Sequence, residues 1–587
     1  MSPEPRLSSV PDIRRPTGSF RLVALAAALG CLTGVVVAAI QNFVVFAQRA
    51  TLGFAAERRI VLPDHASYLR IALALTCSAI LVTVLTRLVS RWKTKEPLDA
   101  VEANALSGGI MSWFDAVGVV IPILASVSFG ASVGIEAAVT QFGAVLASRL
   151  GRRLGRPRSD LRILVGAGSA AAIAAAYRAP IAGMLYAYEL VLGTYSKRTL
   201  APVGLAAICA VLTMWLLTGQ AKPFNLPLGT SASWADFPLA LVIGLLAAPL
   251  GIGVMLLVTM FERLLKRLVR DQTLRRMAAG LFLTLLSIRF PAVLGSGHAA
   301  IEHGVNGDIA GRNALELLGA KTIASAASLG SGFRGGLFSA SLMIGALLGQ
   351  VVAWIAPLIP GIPWVSPALC AVIGMASVGA SIIGSPLTMI FLVLETTGDF
   401  DAAVVVAIGA VAASFLTDRL FGYSFATWRF QQRGLAIEGG HDVSHLAAAS
   451  IVGIIRPPKR SIAANADLDD VLRAVSTAGG RGTAVYRHDG SFAGLIDPRL
   501  VEVVEAEEIR LPIVAAELVY ETNPLVTPKT SLAELVEIFR NDDRATIAVM
   551  DPADSRALVG VVRARDAFAL ASNVVDAQRR EDLGISK

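Results

Sequence analysis

Three glycine-led segments combine a permissive backbone with an apolar continuation: Ser107, Gly108, Gly109, Ile110; then Gly134, Ile135, Glu136; then Gly335, Gly336, Leu337, Phe338. A helix starting at such a glycine leaves its first N–H groups without intrahelical partners. Away from water, an anion is a suitable partner for them. One helix end contributes about 0.3–1 kcal/mol, and up to about 2 when partly buried, whereas desolvating an ion costs several kcal/mol. One helix start cannot hold a dehydrated anion, but several converging on one point can. Taken singly, each glycine also reads as a residue that lets helices approach closely. Glu136 shifts that balance, because an acid at membrane depth is costly and usually serves transport, relay or gating. Placed where an anion would sit, it is expected to act as a tethered carboxylate that leaves when protonated.

The elements that must position these residues are membrane helices. The chain has 587 residues, 54% hydrophobic and only 16% charged, with a mean hydropathy of +0.63. Charge this sparse cannot cover a soluble globule of that size. Spans are expected at 22–49, 69–89, 238–258, 274–289, 342–358 and 402–416, each near the length that crosses a bilayer. The net charge of +8 does not indicate nucleic acid, since the basic residues lie between apolar runs, as in Arg87, Arg91, Lys93, Lys95 and in Arg149, Arg152, Arg153, Arg156, Arg158. That pattern marks loops held on one side of the membrane, and Arg6, Arg14, Arg15 and Arg21 favour a cytoplasmic N-terminus. The first apolar run, 22–46, is too long for a signal peptide. Cys31, Cys77, Cys209 and Cys370 are dispersed, with no metal-like spacing, and are expected in the core.

A repeat runs through the membrane part. The stretch from Gly134 to Leu146 recurs from Gly336 to Leu348, displaced by 202 residues, and Gly168, Pro180 and Glu189 recur as Gly374, Pro386 and Glu395, displaced by 206. Two pairs in the same order at nearly the same offset imply a duplicated bundle whose halves meet near the midplane, where repeated transporter folds place their site. Near Gly434 the apolar runs give way to amphipathic segments such as Leu468 to Leu472 and Leu532 to Val536. The expected division is an N-terminal segment 1–19, a membrane domain 20–434 with repeats at about 67–217 and 238–420, a linker 435–450, a soluble domain 451–573 and a tail 574–587.

These motifs resemble those of the CLC family of chloride channels and proton-coupled chloride transporters, over residues 20–434. The family's Gly-Ser-Gly-Ile-Pro, Gly-Lys/Arg-Glu-Gly-Pro and Gly-x-Phe-x-Pro positions read here as Ser107 to Met111, Gly134 to Ala138 and Gly336 to Ala340, and Leu294 to His298 resembles its Leu-Gly-x-Gly segment. The resemblance implies an all-α polytopic membrane protein with an inverted repeat and broken helices. It also implies a homodimer in a bilayer, expected to be the cell inner membrane with both termini cytoplasmic, and one anion pathway per subunit. Glu136 is then the gate, Phe338 lends a backbone N–H to the central anion, and no cofactor is required.

Departures from the family pattern bear on mechanism. The family's central serine falls on Gly108 or, with a one-residue slip, on Ser107; its pore tyrosine falls on Ala426, with Tyr423 three residues earlier. The second glutamate of the proton-coupled members is Leu190 here, which favours channel-like conduction of chloride over proton/chloride antiport, the alternative within the same family. Arg334 puts a cation ahead of Gly335 and Gly336, either concentrating anions at the pore mouth or serving only as a snorkelling or paired side chain. Residues 451–573 resemble a pair of CBS domains, a module that can bind an adenine nucleotide; Asp566 aligns with its ribose-contacting acid, but Arg563 replaces the usual Ser or Thr. A remote alternative is an intramembrane serine hydrolase, since Gly130, Ser132 and Gly134 match Gly-x-Ser-x-Gly and His298 or His303 would have to supply the base.

Overall fold

Inside a bilayer no water satisfies the backbone, so each apolar run must pair its N–H and C=O groups within itself and becomes a helix. The computed structural model describes residues 18–582 apart from 57–66, 93–96, 220–232, 235, 307–308, 361–364, 433–448 and short stretches of the C-terminal part (479–481, 499, 502–503, 505–512, 521–523, 525, 543 and 552–556). The expected boundary at 434 and most of the linker 435–450 lie outside the described residues, as do Arg6, Arg14, Arg15, Lys93 and Lys95.

The first half of the membrane part comprises α1 (Gly18–Leu52), α2 (Tyr68–Trp92), α3 (Ala100–Leu106), α4 (Trp113–Ser128), α5 (Glu136–Arg153), α6 (Arg158–Tyr177), α7 (Pro180–Tyr186) and α8 (Lys197–Thr218). A π-helical turn, Ala187–Leu192, extends α7. The second half comprises α9 (Asp236–Leu268), α10 (Gln272–Arg289), α11 (His298–Val305), α12 (Gly311–Ser331), α13 (Phe338–Ile355), α14 (Pro367–Ile383), α15 (Pro386–Thr397) and α16 (Phe400–Leu420), and α17 (Phe425–Gln432) follows. Among the described residues, seven helices are long and apolar enough to cross a membrane. The core between them is largely alanine, glycine and aliphatic side chains.

The two halves are built alike. Helix α1 packs on α6 and α8 as α9 packs on α14 and α16, and α5 packs on α6 as α13 packs on α14. The first half therefore begins at α1, ahead of the 67–217 expected from the sequence, because α1 is the counterpart of α9. Gly143 faces Gly168, and Gly345 faces Gly374; a Cβ on any of the four would strike the opposite backbone. Two contacts join the halves reciprocally. The Gly134 N–H donates to the Gly336 carbonyl at 3.0 Å and the Gly336 N–H to the Gly134 carbonyl at 3.1 Å. Glu189 accepts from the Leu387 and Thr388 N–H groups (both 2.9 Å) at the start of α15, while Glu395 accepts from those of Ile181 (2.9 Å) and Ala182 (2.8 Å) at the start of α7. Such mutual exchange is the signature of a two-fold axis between repeats, and it occurs at both sequence offsets.

Residues 442–587 form a separate unit. Strand β1 (Arg460–Ala463), α18 (Leu468–Ala478), β2 (Thr483–Tyr486) and β3 (Phe492–Leu495) give a three-stranded sheet, with β1–β2 parallel and β2–β3 antiparallel. The second half repeats the plan with α19 (Leu532–Asn541), β4 (Thr546–Met550) and β5 (Leu558–Arg563), antiparallel to β4, and ends in α20 (Ala564–Asp582). Amphipathic spacing turns Val471 and Leu535, both fully buried, toward the two cores.

Candidate anion gate

The double hydrogen bond between Gly134 and Gly336 brings the starts of α5 and α13 together. Neither Ile135 nor Leu337, the residues preceding those helices, caps the first turn with a side chain. A substituent on Gly336 would stand 3.6 Å from Ala137 Cβ, 3.8 Å from the Ala137 nitrogen and 3.9 Å from the Phe338 nitrogen, so the first turns of both helices border Gly336. Two positive helix ends therefore act together at the place where the sequence puts its gate.

Glu136 is the first residue of α5. It is only 3% exposed. Its Oε1 accepts from the Tyr177 hydroxyl at 2.8 Å and from the Ser339 hydroxyl, and those two hydroxyls lie 3.0 Å apart. Its Oε2 is buried without a hydrogen-bond partner. The carboxylate folds back over Gly134, where a Cβ would collide with it, which is why that position carries no side chain. Tyr177 closes the alanine-rich α6; its ring stacks on His298 (centroids 6.0 Å apart) and tilts against Phe338 (5.1 Å). A second tyrosine, Tyr186, meets Phe338 edge-on at 6.1 Å, shares a hydrogen bond with Thr140 and lies within electrostatic reach of both Glu136 and Asp99. Tyr177, Tyr186 and Ser339 went unnoticed in the sequence. Their only local signal is a hydroxyl interrupting an apolar stretch, and nothing local says what such an interruption meets.

The segment Ser107, Gly108, Gly109, Ile110 is not a helix start. Ser107 ends α3, and Gly108 and Gly109 follow with φ of +60° and +76°. Three donors of the segment are engaged: Ser107 and Gly109 both donate to the Ala103 carbonyl at 3.0 Å, and Ile110 to that of Ser107 at 3.2 Å. Glycine in the left-handed region is a helix terminator far more often than an initiator, and that preference decides here. The start of α3 is Asp99, whose side chain accepts from the Val101 N–H. Neither Ser107 nor Gly108 thus stands at a helix start, as the family's central serine requires.

Ala426 lies half-buried in a cluster that includes Leu98, Val101, Tyr186, Leu190 and Val191. Tyr423 turns instead to Phe421 and Trp428. Tyr186, from α7, packs against the same cluster as Ala426. Arg334 is exposed and its N–H donates to the Ser126 hydroxyl at 3.0 Å.

Ser132 is fully buried, with its hydroxyl 3.2 Å from that of Ser325 and its N–H donating to Ser328. A hydroxyl is no general base, so this serine lacks the activation a hydrolase needs. Cys31 and Cys77 are exposed on their helices and not in the core; Cys370 is buried. In the C-terminal unit Asp566 pairs with Arg563 at 2.6 Å, so a nucleotide ribose would have to displace that guanidinium.

Broken apolar helices converging on a shielded carboxylate within an inverted repeat define a membrane protein that passes anions. Residues 81–418 match the model of the voltage gated chloride channel family, and the chain belongs to that family, the CLC proteins. It is 33% identical over 304 residues to a putative chloride channel protein ClcB-like of Ralstonia nicotianae, covering 51% of this chain and 71% of that protein. It is 29% identical over 329 residues to a voltage-gated ClC-type chloride channel ClcB of Salmonella dublin, covering 55% and 78%. Among solved structures it resembles a CLC-type fluoride/proton antiporter (TM-score 0.57, 25% identity, 69% of this chain and 96% of that one). The fold also matches a eukaryotic CLC transporter (TM-score 0.60, 17% identity, 93% and 98%) and a slow cyanobacterial Cl-/H+ antiporter (TM-score 0.59, 19% identity, 70% and 98%). The family moves anions across membranes.

Proposed function

We propose that the protein conducts chloride or a similar small inorganic anion passively, with Glu136 as the gate. The observation that carries this reading is the buried Glu136 carboxylate in the first turn of α5, folded back over Gly134 beside the hydrogen-bonded pairing of Gly134 with Gly336 that brings the starts of α5 and α13 together. In the closed state the carboxylate takes the anion's place, held by Tyr177 and Ser339. Protonation removes its charge, the side chain swings away, and a hydrated anion sheds water against the N–H groups of Ala137 and Phe338. Leu190 offers no proton relay, so conduction is uncoupled. The working unit is a homodimer in the cell inner membrane with cytoplasmic termini, each subunit carrying its own pathway.

Antiport is the second reading, favoured by Tyr186, which lies within electrostatic range of both Glu136 and the exposed acid Asp99. Proteoliposomes loaded with chloride and a pH-sensitive dye separate the two. Under passive conduction a chloride gradient drives no proton movement once the membrane potential is clamped with potassium and valinomycin. Proton uptake against its own gradient under those conditions sinks the channel reading and establishes antiport.

A further inference from the structure

One surface of the first repeat gathers cations from two segments of the chain. Helix α5 ends in Arg152 and Arg153, and the turn that follows leads through Arg156 to Arg158, the first residue of α6. Lys197 and Arg198 begin α8. Asp160, the only acid in 149–162 and 193–199, ties the two segments together: its carboxylate accepts from Arg198 Nη2 at 2.8 Å and lies 3.9 Å from Arg156 Nη1. It is buried, and two arginines share its one charge. Glu189 lies within electrostatic reach of Tyr195, but its carboxylate is taken up by the start of α15. Arg152, Arg153, Arg158 and Lys197 are all exposed, and no ion pair holds them among the described residues. The surface therefore carries a marked excess of positive charge.

The position of that charge specifies its partner. Arg158–Tyr177 and Lys197–Thr218 are both long and apolar enough to cross a membrane, and a helix of 20 residues, at about 1.5 Å each, matches the ~30 Å hydrocarbon layer. The cations head both spans and so stand where hydrocarbon gives way to headgroups. Apolar side chains are interleaved with them. Leu154 is 54% exposed between the arginines, and Tyr195, 59% exposed, leans on Tyr188 at 5.1 Å just ahead of α8. Exposed aromatic residues suit the membrane–water boundary, and clustered Lys and Arg there attract acidic lipids. A soluble polyanion would match the charge but leave Leu154 and Tyr195 in water. We propose that this surface binds the headgroups of acidic phospholipids. Arg152, Arg153, Arg158 and Lys197 meet the headgroup phosphates, while Leu154 and Tyr195 dip among the upper acyl carbons. Asp160 is a positioning residue, holding the α5–α6 turn against the start of α8 so that the cations of both segments face one headgroup layer.

The test is native mass spectrometry of the full-length protein in detergent, with equal amounts of dioleoylphosphatidylglycerol and dioleoylphosphatidylcholine, which share the same chains. Phosphatidylglycerol adducts should outnumber phosphatidylcholine adducts severalfold. That preference should fall severalfold in the combined variant Arg152→Gln, Arg153→Gln, Lys197→Gln, whose exposed side chains can be exchanged without opening an ion pair. The matched comparison, Arg263→Gln, Arg267→Gln, Arg270→Gln, removes as much exposed charge at and just beyond the end of α9 and should keep the preference. Equal binding of the two lipids by the unaltered protein, or a preference unchanged in the first variant, overturns the proposal. So does an equal fall in both variants, which would show attraction to net charge alone. The surface shares no residue with the Glu136 gate, so it stands or falls independently of that reading.

Discussion

Replacing Tyr177 with phenylalanine deletes one oxygen and leaves the ring in place against His298 and Phe338. What is lost is the 2.8 Å hydrogen bond to Glu136 and the 3.0 Å link to Ser339. A hydrogen bond to a charged acceptor contributes about 1.5–3 kcal/mol, and each ~1.4 kcal/mol is a tenfold change in an equilibrium. Ser339 still holds Oε1, so the closed position is weakened and not abolished. The open-to-closed ratio should therefore rise about 10- to 100-fold at a pH where the gate is mostly shut. Chloride efflux from proteoliposomes at pH 7.5, triggered by valinomycin, reads that ratio as an initial rate per protein. The matched comparison is Tyr188→Phe, since the Tyr188 hydroxyl meets Thr199, away from the gate. Wild-type rates in Tyr177→Phe, with correct assembly, would refute the idea that this hydroxyl holds the carboxylate in place.

Three other outcomes are expected. Gly345→Ala drives a methyl into the Gly374 backbone and should lower stability in detergent by about 1–3 kcal/mol, whereas Gly253→Ala, in open space on α9, should be neutral or gain up to about 1 kcal/mol; thermal melts compare them. Glu189→Leu and Glu395→Leu each strip charged hydrogen bonds from the start of a partner helix, and both should lose ~2–4 kcal/mol by the same melts; a large loss in one and none in the other would contradict the two-fold reading. In the C-terminal unit the Ser491 hydroxyl and N–H hold the Asp489 carboxyl below the usual carboxylate range. The support this gives its turn is full above about pH 4 and is lost as pH falls through the lower folded value. Asp489→Asn should therefore speed hydrogen exchange at Ser491 near neutrality, and the difference should vanish in strong acid.

Much of this was legible in the chain because the duplication left its marks at fixed offsets. Gly134 with Gly336, and Glu189 with Glu395, are recognisable as pairs in the sequence, and the structure joins both pairs through reciprocal hydrogen bonds. Glu136 was legible because a carboxylate in an apolar helix start is expensive. Ser107 to Ile110 misled for a physical reason: glycine marks both ends of helices, and the sign of φ that separates them is invisible in sequence. Tyr177 and Ser339 were out of reach because their meeting depends on two helices 162 residues apart in the chain.

The gate itself is tested most directly by chloride efflux from proteoliposomes containing wild type or Glu136→Gln, each measured at pH 7.5 and pH 4.5. A gate that opens when its carboxylate is neutralised predicts that wild type is slow at pH 7.5 and fast at pH 4.5, and that Glu136→Gln is fast at both. A Glu136→Gln protein that is correctly assembled yet keeps the wild-type rate and pH response would remove Glu136 from the gate and with it the proposed mechanism.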